Sequence, residues 1–132
     1  LCFPLYACSR ELIKRYTPFL EKIDLTYTQY IAMMVLWGKK QISVKELGKC
    51  LFLDSGTLTP LLKKLEQKGY VTRTRSEEDE RVLIAAITPK GEDLKDEAVL
   101  IPQKMMACAA LSQEKAAQLY TLLYELLNTL EK

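Results

Sequence analysis

The apolar residues at the start of the chain fall at helical intervals. From Cys2 to about Leu20, Phe3, Tyr6, Ala7, Ile13, Tyr16 and Leu20 recur with Arg10, Glu11, Lys14 and Arg15 between them, which predicts an amphipathic helix. Pro4 suits its first turn, where a missing N–H does no harm, and Pro18 is expected to kink or end it. From Thr26 to Trp37, Tyr30, Ile31, Met33, Met34, Val35, Leu36 and Trp37 are apolar nearly all round. A helix of that kind is central and buried, and Gly38 is placed to close it. Ser43 and Glu46 have the S-x-x-E spacing of a capping box, opening a short helix to about Leu51. Asp54, Ser55, Gly56 and Thr57 then form a cluster of turn and capping residues, after which Leu58, Leu61, Leu62 and Leu65 give one apolar face up to Gly69. Pro60 lies close enough to that helix's start to be tolerated.

Beyond Gly69 the pattern changes. Tyr70 to Thr74 and Val82 to Ile87 are rich in β-branched or apolar residues, and the segment between them, Arg75 to Arg81, has none. The two runs predict a β-hairpin with a solvated tip. Thr88 and Pro89 supply an N-cap and a first-turn proline for a long helix, interrupted by Pro102 and reaching about Ala110. Ser112 caps the last helix, in which Leu119, Leu122, Leu123, Leu126, Leu127 and Leu130 make a stripe too wide for a helix that packs only at its end. The expected fold class is mostly α with a small β-hairpin wing. Two short helices joined by a tight turn and followed directly by a hairpin are the order of a winged helix-turn-helix, whose second helix enters the major groove of DNA.

A chain of 132 residues can bury one good core, so one domain is expected. Hydrophobic residues make up 48% and charged residues 27%, a globular balance, and no apolar run reaches the roughly 18 residues of a membrane span. Leu1 to Ala7 are apolar but lack a basic flank and a small-residue cleavage site, so a secretory signal is not expected and the cytoplasm is the expected compartment. The chain opens on Leu1 without an initiator Met, from which further native residues are expected before it. The net charge of +2 argues only weakly for nucleic acid, which leaves the placement of the basic residues to decide. Cys2, Cys8, Cys50 and Cys108 form no CxxC, and the chain has no histidine, so neither a metal nor another cofactor is expected.

On the helix starting at Ser55, the short polar groups of Ser55, Thr57 and Thr59 can approach base edges or phosphates, while Lys63 and Lys64 lie further along, near the backbone. Arg73, Arg75 and Arg81 give the hairpin a basic character, against which Glu77, Glu78, Asp79 and Glu80 would repel phosphate. Asp79, two residues before Arg81, is close enough to hold that guanidinium in one orientation for a narrow minor groove. The alternative is a merely solvated acidic turn.

Three runs carry a family resemblance: Leu1-Cys-Phe-Pro-Leu-Tyr6, Leu53-Asp-Ser-Gly-Thr-Leu-Thr-Pro-Leu-Leu-Lys63 and Arg75-Ser-Glu-Glu-Asp-Glu-Arg81. The sequence resembles the MarR family of transcriptional regulators, and within it the OhrR-like branch that senses organic hydroperoxides. The resemblance covers essentially the whole chain. It implies one domain over residues 1–132, with 1–38 and 89–132 as dimerisation helices and 39–88 as the winged helix-turn-helix. It further implies a non-enzymatic repressor, an intertwined homodimer on a pseudo-palindromic duplex, with Arg81 in the minor groove and Ser55 to Thr59 at the major groove.

Cys2 sits where the helix dipole favours a thiolate, the form that reacts with peroxides. Tyr6, four residues on, shares its face and can donate to the sulfur. Tyr16 shares the face as well, but fourteen residues of helix span roughly 21 Å, beyond contact within one subunit. The resemblance implies that Tyr16 and Tyr27 reach Cys2 from the partner subunit. Oxidation to a sulfenic acid and condensation with a second thiol would then release DNA, the second thiol being Cys108 or a small cellular thiol. Cys8 and Cys50 are expected to be small hydrophobes. Three other readings stay open: a MarR-type repressor that binds a small phenolic or lipophilic effector, a thiol peroxidase, and a redox-controlled protein-interaction module.

Overall fold

The computed structural model describes residues 1–108 and 110–131, the side chains of 106–108 excepted. They divide into two units, Leu1–Ile101 and Pro102–Lys132.

The first unit begins with α1 (Cys2–Glu21) and α2 (Tyr27–Lys39). Helix α1 runs through Pro18 rather than ending there. Pro18 lies in the last turn, so only one ladder bond is lost, and the hydroxyl of Thr17 donates to the carbonyl of Ile13 in the same turn. Helix α2 carries the reciprocal capping box of the fold. The Thr26 hydroxyl accepts from the Gln29 N–H at 3.3 Å, and Gln29 Oε1 accepts from the Thr26 N–H at 3.0 Å. The helix also passes Gly38. The positive φ falls at Lys40, 69°, because the carbonyl of Lys40 is already taken by the N–H of Ile87 and the chain must turn there to join the sheet.

Strands β1 (Gln41–Ser43), β2 (Val71–Arg75) and β3 (Leu83–Ile87) form an antiparallel sheet in the order β1-β3-β2. Ala85 lies opposite Ile42 on one side and Arg73 on the other. The two long strands are the hairpin. Strand β1 was not expected, since three residues are too short to show an alternation of their own. Ser43 ends it and also caps α3 (Val44–Leu51), accepting from the Glu46 N–H at 3.1 Å. The Glu46 carboxylate pairs with Lys49, so the expected capping box is formed only in its serine half. Helix α4 (Ser55–Gln67) and then α5 (Pro89–Ala98) complete the layers around α2. Leu20, Met33, Leu36, Leu47, Leu58, Leu62 and Leu65 make the core.

The long helix expected after Thr88 is two helices, α5 and α6 (Ile101–Cys108). The break falls at Val99 and Leu100, ahead of Pro102, which occupies the second position of α6, where its missing N–H is no loss. Helix α7 (Gln113–Leu130) follows, capped by the Ser112 hydroxyl accepting from Lys115 N–H. None of its described residues is buried, and Leu119, Tyr120, Leu122, Leu123, Tyr124 and Leu130 are all exposed. Among the described residues no helix is long and apolar enough to cross a membrane.

Of the glycines, Gly91 has the least room for a side chain. Its carbonyl accepts a 2.9 Å hydrogen bond from the Trp37 indole, and a Cβ there would collide with the Tyr70 carbonyl and the Ile87 side chain. Gly91→Ala is therefore expected to destabilise the fold by about 1–3 kcal/mol through overpacking, read as a lower midpoint of urea unfolding. A midpoint equal to the wild type's would show that the helix shifts freely.

Candidate functional site

Helix α4 is positioned from its ends and from one face. Phe52 adopts the left-handed conformation at φ 56° and turns the chain after α3. Leu53 N–H then donates to the Gly48 carbonyl at 3.0 Å. A Cβ on Gly48 would press on Leu53 O, so the tight helix-to-helix turn depends on that glycine. The Asp54 carboxylate caps α4 by accepting from the Thr57 N–H at 2.8 Å, and this bond holds its carboxyl below the usual range. Leu58, Leu61, Leu62 and Leu65 are buried, which leaves Ser55, Thr57, Thr59, Lys63 and Lys64 exposed. Apolar anchoring and polar display thus come from one rotation of the helix about its axis.

At the wing the N–H of Ser76 donates to the Val82 carbonyl and the N–H of Val82 to the Asp79 carbonyl, closing the tip. The Arg81 side chain is 91% exposed, yet it is not loose. Asp79 Oδ1 accepts from the Arg81 N–H at 3.0 Å and from its Nε at 3.2 Å, and Oδ2 accepts from Nη2 at 3.3 Å. These bonds to Arg81 hold the Asp79 carboxyl below its ordinary range. Glu77, Glu78 and Glu80 point to solvent, as does Arg75 at the end of β2.

Arg73 behaves differently from Arg75 and Arg81. Its Nη2 donates to Glu66 Oε1 and its backbone N–H to Glu66 Oε2, both at 3.1 Å, and only 17% of its side chain is exposed. Among the described residues its buried Nε has no hydrogen-bond partner. Arg73 therefore ties β2 to α4 and sets the angle between wing and helix. The pairing with Glu66 spans the α4–β2 turn, and no local pattern announces it.

A third group of residues lies where α1 meets α2. Tyr16 and Tyr27 pack edge to face with ring centroids 5.3 Å apart, and Tyr30 backs both at 5.9 and 6.4 Å. Trp37 stands behind Tyr30 at 6.3 Å. Burial pushes the Tyr16, Tyr27 and Tyr30 hydroxyls above their usual pKa. Cys2 is the first residue of α1 and is exposed. Fourteen continuous helical residues, roughly 21 Å, separate it from Tyr16 in the same chain. The hydroxyl of Tyr6 accepts from Arg10 Nη1 at 3.2 Å, with the guanidinium 5.5 Å from its ring centroid. Cys8 and Cys50 are exposed rather than packed as small hydrophobes. The side chain of Cys108 lies outside the described residues.

With this geometry in place, comparison with known proteins is informative. Residues 14–98 match the family described as transcriptional regulator SarA/Rot. The chain is 49% identical over 132 residues to the organic hydroperoxide resistance transcriptional regulator of Bacillus subtilis, covering all of this chain and 90% of that one. Among solved structures it is similar to AbfR of Staphylococcus epidermidis. Reduced AbfR bound to DNA is 31% identical, with a TM-score of 0.83 over 100% of this chain and 92% of that one, and its overoxidised form bound to DNA scores 0.82. The disulfide form scores 0.69 at 32% identity, over 99% of this chain and 87% of that one. Identity over the full chain and the shared fold agree, and the chain belongs to the family described as transcriptional regulator SarA/Rot, together with the organic hydroperoxide resistance regulators.

Proposed function

We propose that the chain is a cytoplasmic redox-sensing repressor that binds a pseudo-palindromic duplex as a homodimer and leaves it when Cys2 is oxidised. The observation that carries the DNA half is the wing tip: a cation almost fully exposed, yet fixed in direction by a neighbouring carboxylate. An arginine held in this way enters a narrow, negatively charged minor groove with little side-chain entropy left to lose. Ser55, Thr57 and Thr59 face base edges in the adjacent major groove, and Lys63 and Arg75 face phosphates. Arg73 contributes by holding the wing against α4.

The dimer is supported by what each unit leaves uncovered. Leu1 and, on helix α1, Phe3, Leu5, Tyr6, Leu12 and Ile13 are exposed, and α7 exposes the stripe described above. Apolar surface of that extent marks an interface. The tyrosine pair supports it too, since Tyr16 and Tyr27 face a position that their own Cys2 cannot reach.

In the proposed switch, the partner's Cys2 thiolate meets the Tyr16 and Tyr27 hydroxyls and attacks the terminal oxygen of an organic hydroperoxide. An S–O bond forms, the O–O bond breaks, and the alcohol leaves with a proton, giving the sulfenic acid. A second thiol, from Cys108 or from a small cellular thiol, attacks that sulfur. An S–S bond forms and water leaves. Release at this second step accords with the relative's forms, since its overoxidised form is on DNA and its disulfide form departs further from this chain's shape. Because two reading helices must sit about one helical turn of DNA apart, a modest rearrangement of the dimer breaks their register. In this reading each oxidation takes the protein off DNA once, and a thiol must reduce the disulfide before it can bind again, whereas sustained consumption of peroxide would mark a peroxidase.

Three measurements test the reading, on a duplex selected from random sequence by the reduced protein. Arg81→Ala is expected to weaken binding by about 1–3 kcal/mol, with fold and dimer intact, and Asp79→Ala by less in the same direction. Unchanged affinity in Arg81→Ala would remove the minor-groove role. Cys2→Ser is expected to bind as tightly as wild type and to stay bound after cumene hydroperoxide, whereas release at the wild-type dose would exclude Cys2 as the sensor. Tyr16→Phe and Tyr27→Phe each delete one donor to the thiolate, so both should require more oxidant for half-release. A dose response unchanged in both would take the tyrosines out of the switch.

A further inference from the structure

Lys68, which caps the C-terminal end of α4, has a role that neither the reading surface nor the thiol chemistry uses. Its Nζ donates to the Asp24 carbonyl at 2.7 Å and to Gln29 Oε1 at 3.1 Å, and it pairs with Asp24 Oδ1 at 3.5 Å. An ammonium has three N–H groups; here two donate to the α1–α2 corner, and its charge pairs with the Asp24 carboxylate. The side chain is only 25% exposed. Both partners belong to the corner between α1 and α2. Asp24 holds that corner in a left-handed conformation at φ 56°, and Gln29 is the one buried polar residue of the described core, at 3% exposure. The oxygen that accepts from Lys68 is the same oxygen that closes the α2 capping box on Thr26.

That shared oxygen links two surfaces. The first turn of α2 carries Tyr27, packed on Tyr16, and two residues later Gln29, bonded to Lys68. Lys68 in turn sits directly after the helix whose first turn displays Ser55, Thr57 and Thr59. The base of the wing is fastened at the same point: Lys90 Nζ donates to the Lys68 carbonyl at 3.0 Å, and the Thr88 hydroxyl to the Gly69 carbonyl at 2.6 Å. The tyrosine corner is thus bonded to the Lys68 side chain, and the wing base to the Lys68 and Gly69 backbone beside it. Two directed hydrogen bonds and an ion pair fix the ammonium in orientation as well as distance.

We infer that Lys68 is the positioning residue that transmits displacement of the tyrosine corner to the reading helix. The inference rests on the redox reading above, in which chemistry at the partner's Cys2 displaces Tyr16 and Tyr27. When the first turn of α2 moves, Asp24 and Gln29 move with it, and Lys68 carries the end of α4 and the wing base along. Without Lys68 the corner moves and the helix keeps its register.

The test compares DNA affinity of the full-length protein before and after one equivalent of cumene hydroperoxide with a small thiol present. Wild type is expected to lose affinity by about 30-fold or more, inside the usual range of coupling between sites. Lys68→Met keeps the stem and removes the charge. It is expected to bind within about threefold of wild type when reduced and to lose less than about fivefold on oxidation. Lys68→Arg, which can again bridge Asp24 and Gln29, should restore most of the response, a rescue that loss of packing alone does not predict. In parallel, amide exchange of residues 66–70 in wild type should change on oxidation. Wild type that fails to release overturns the redox reading and this inference with it. Wild type that releases beside a Lys68→Met that releases equally, or unchanged exchange over 66–70, overturns the inference alone.

Discussion

The burial of one leucine face of α4 is the constraint on which the rest of the molecule depends. Leu58, Leu62 and Leu65 are at most 1% exposed and Leu61 is 7% exposed, and each buried leucine contributes about 1.5–3 kcal/mol. Rotating the helix by even one position would expose some of them and bury Thr57, Thr59 or Lys63 instead, at a cost no surface interaction could offset. The rotation is therefore fixed by the core, and the residues α4 displays are those the core rejects. The same burial orients the C-terminal end of the helix, where Lys68 meets the α1–α2 corner and Glu66 meets Arg73.

Charge in this protein works by placement. A net +2 is too small to steer the molecule to DNA by itself. What matters is that acidic groups are spent internally: Glu66 on Arg73, Asp79 on Arg81, Asp24 on Lys68. Each pair converts a flexible cation into one with a direction. Arg81 is directed outward to a ligand, while Arg73 and Lys68 are directed inward to hold neighbouring elements at fixed angles. The exposed pair at the wing tip adds little to stability, and its value lies in the orientation of the guanidinium.

The thiol switch follows the same logic of separation. A single chain holds Cys2 at one end of α1 and the tyrosine pair near the other, so in the proposed switch the site is completed only when two copies meet. In that reading a sensor divided between subunits ties its chemistry to the geometry of the dimer, which would also space the two α4 helices.

Much of this was legible in the sequence, because it depends on short-range patterns. Helical periodicity gave α1, α2, α4 and α7, the change of period after Gly69 gave the hairpin, and the two-residue spacing of Asp79 and Arg81 placed their groups within reach. Local rules erred where a contact from elsewhere in the chain took over. Pro18 did not end α1, Lys40 rather than Gly38 took the positive φ because β3 claims its carbonyl, and the break before α6 came ahead of Pro102. Strand β1 exists only because β3 pairs with it. The functions of Arg73 and Lys68 were equally hidden, since their partners Glu66, Asp24 and Gln29 lie across turns or tens of residues away. Sequence by itself determined most of the helices and the hairpin, because periodicity and capping act within a few residues. Only the tertiary structure decided which charges face outward and which fasten the frame, because that depends on what long-range packing brings within hydrogen-bond distance.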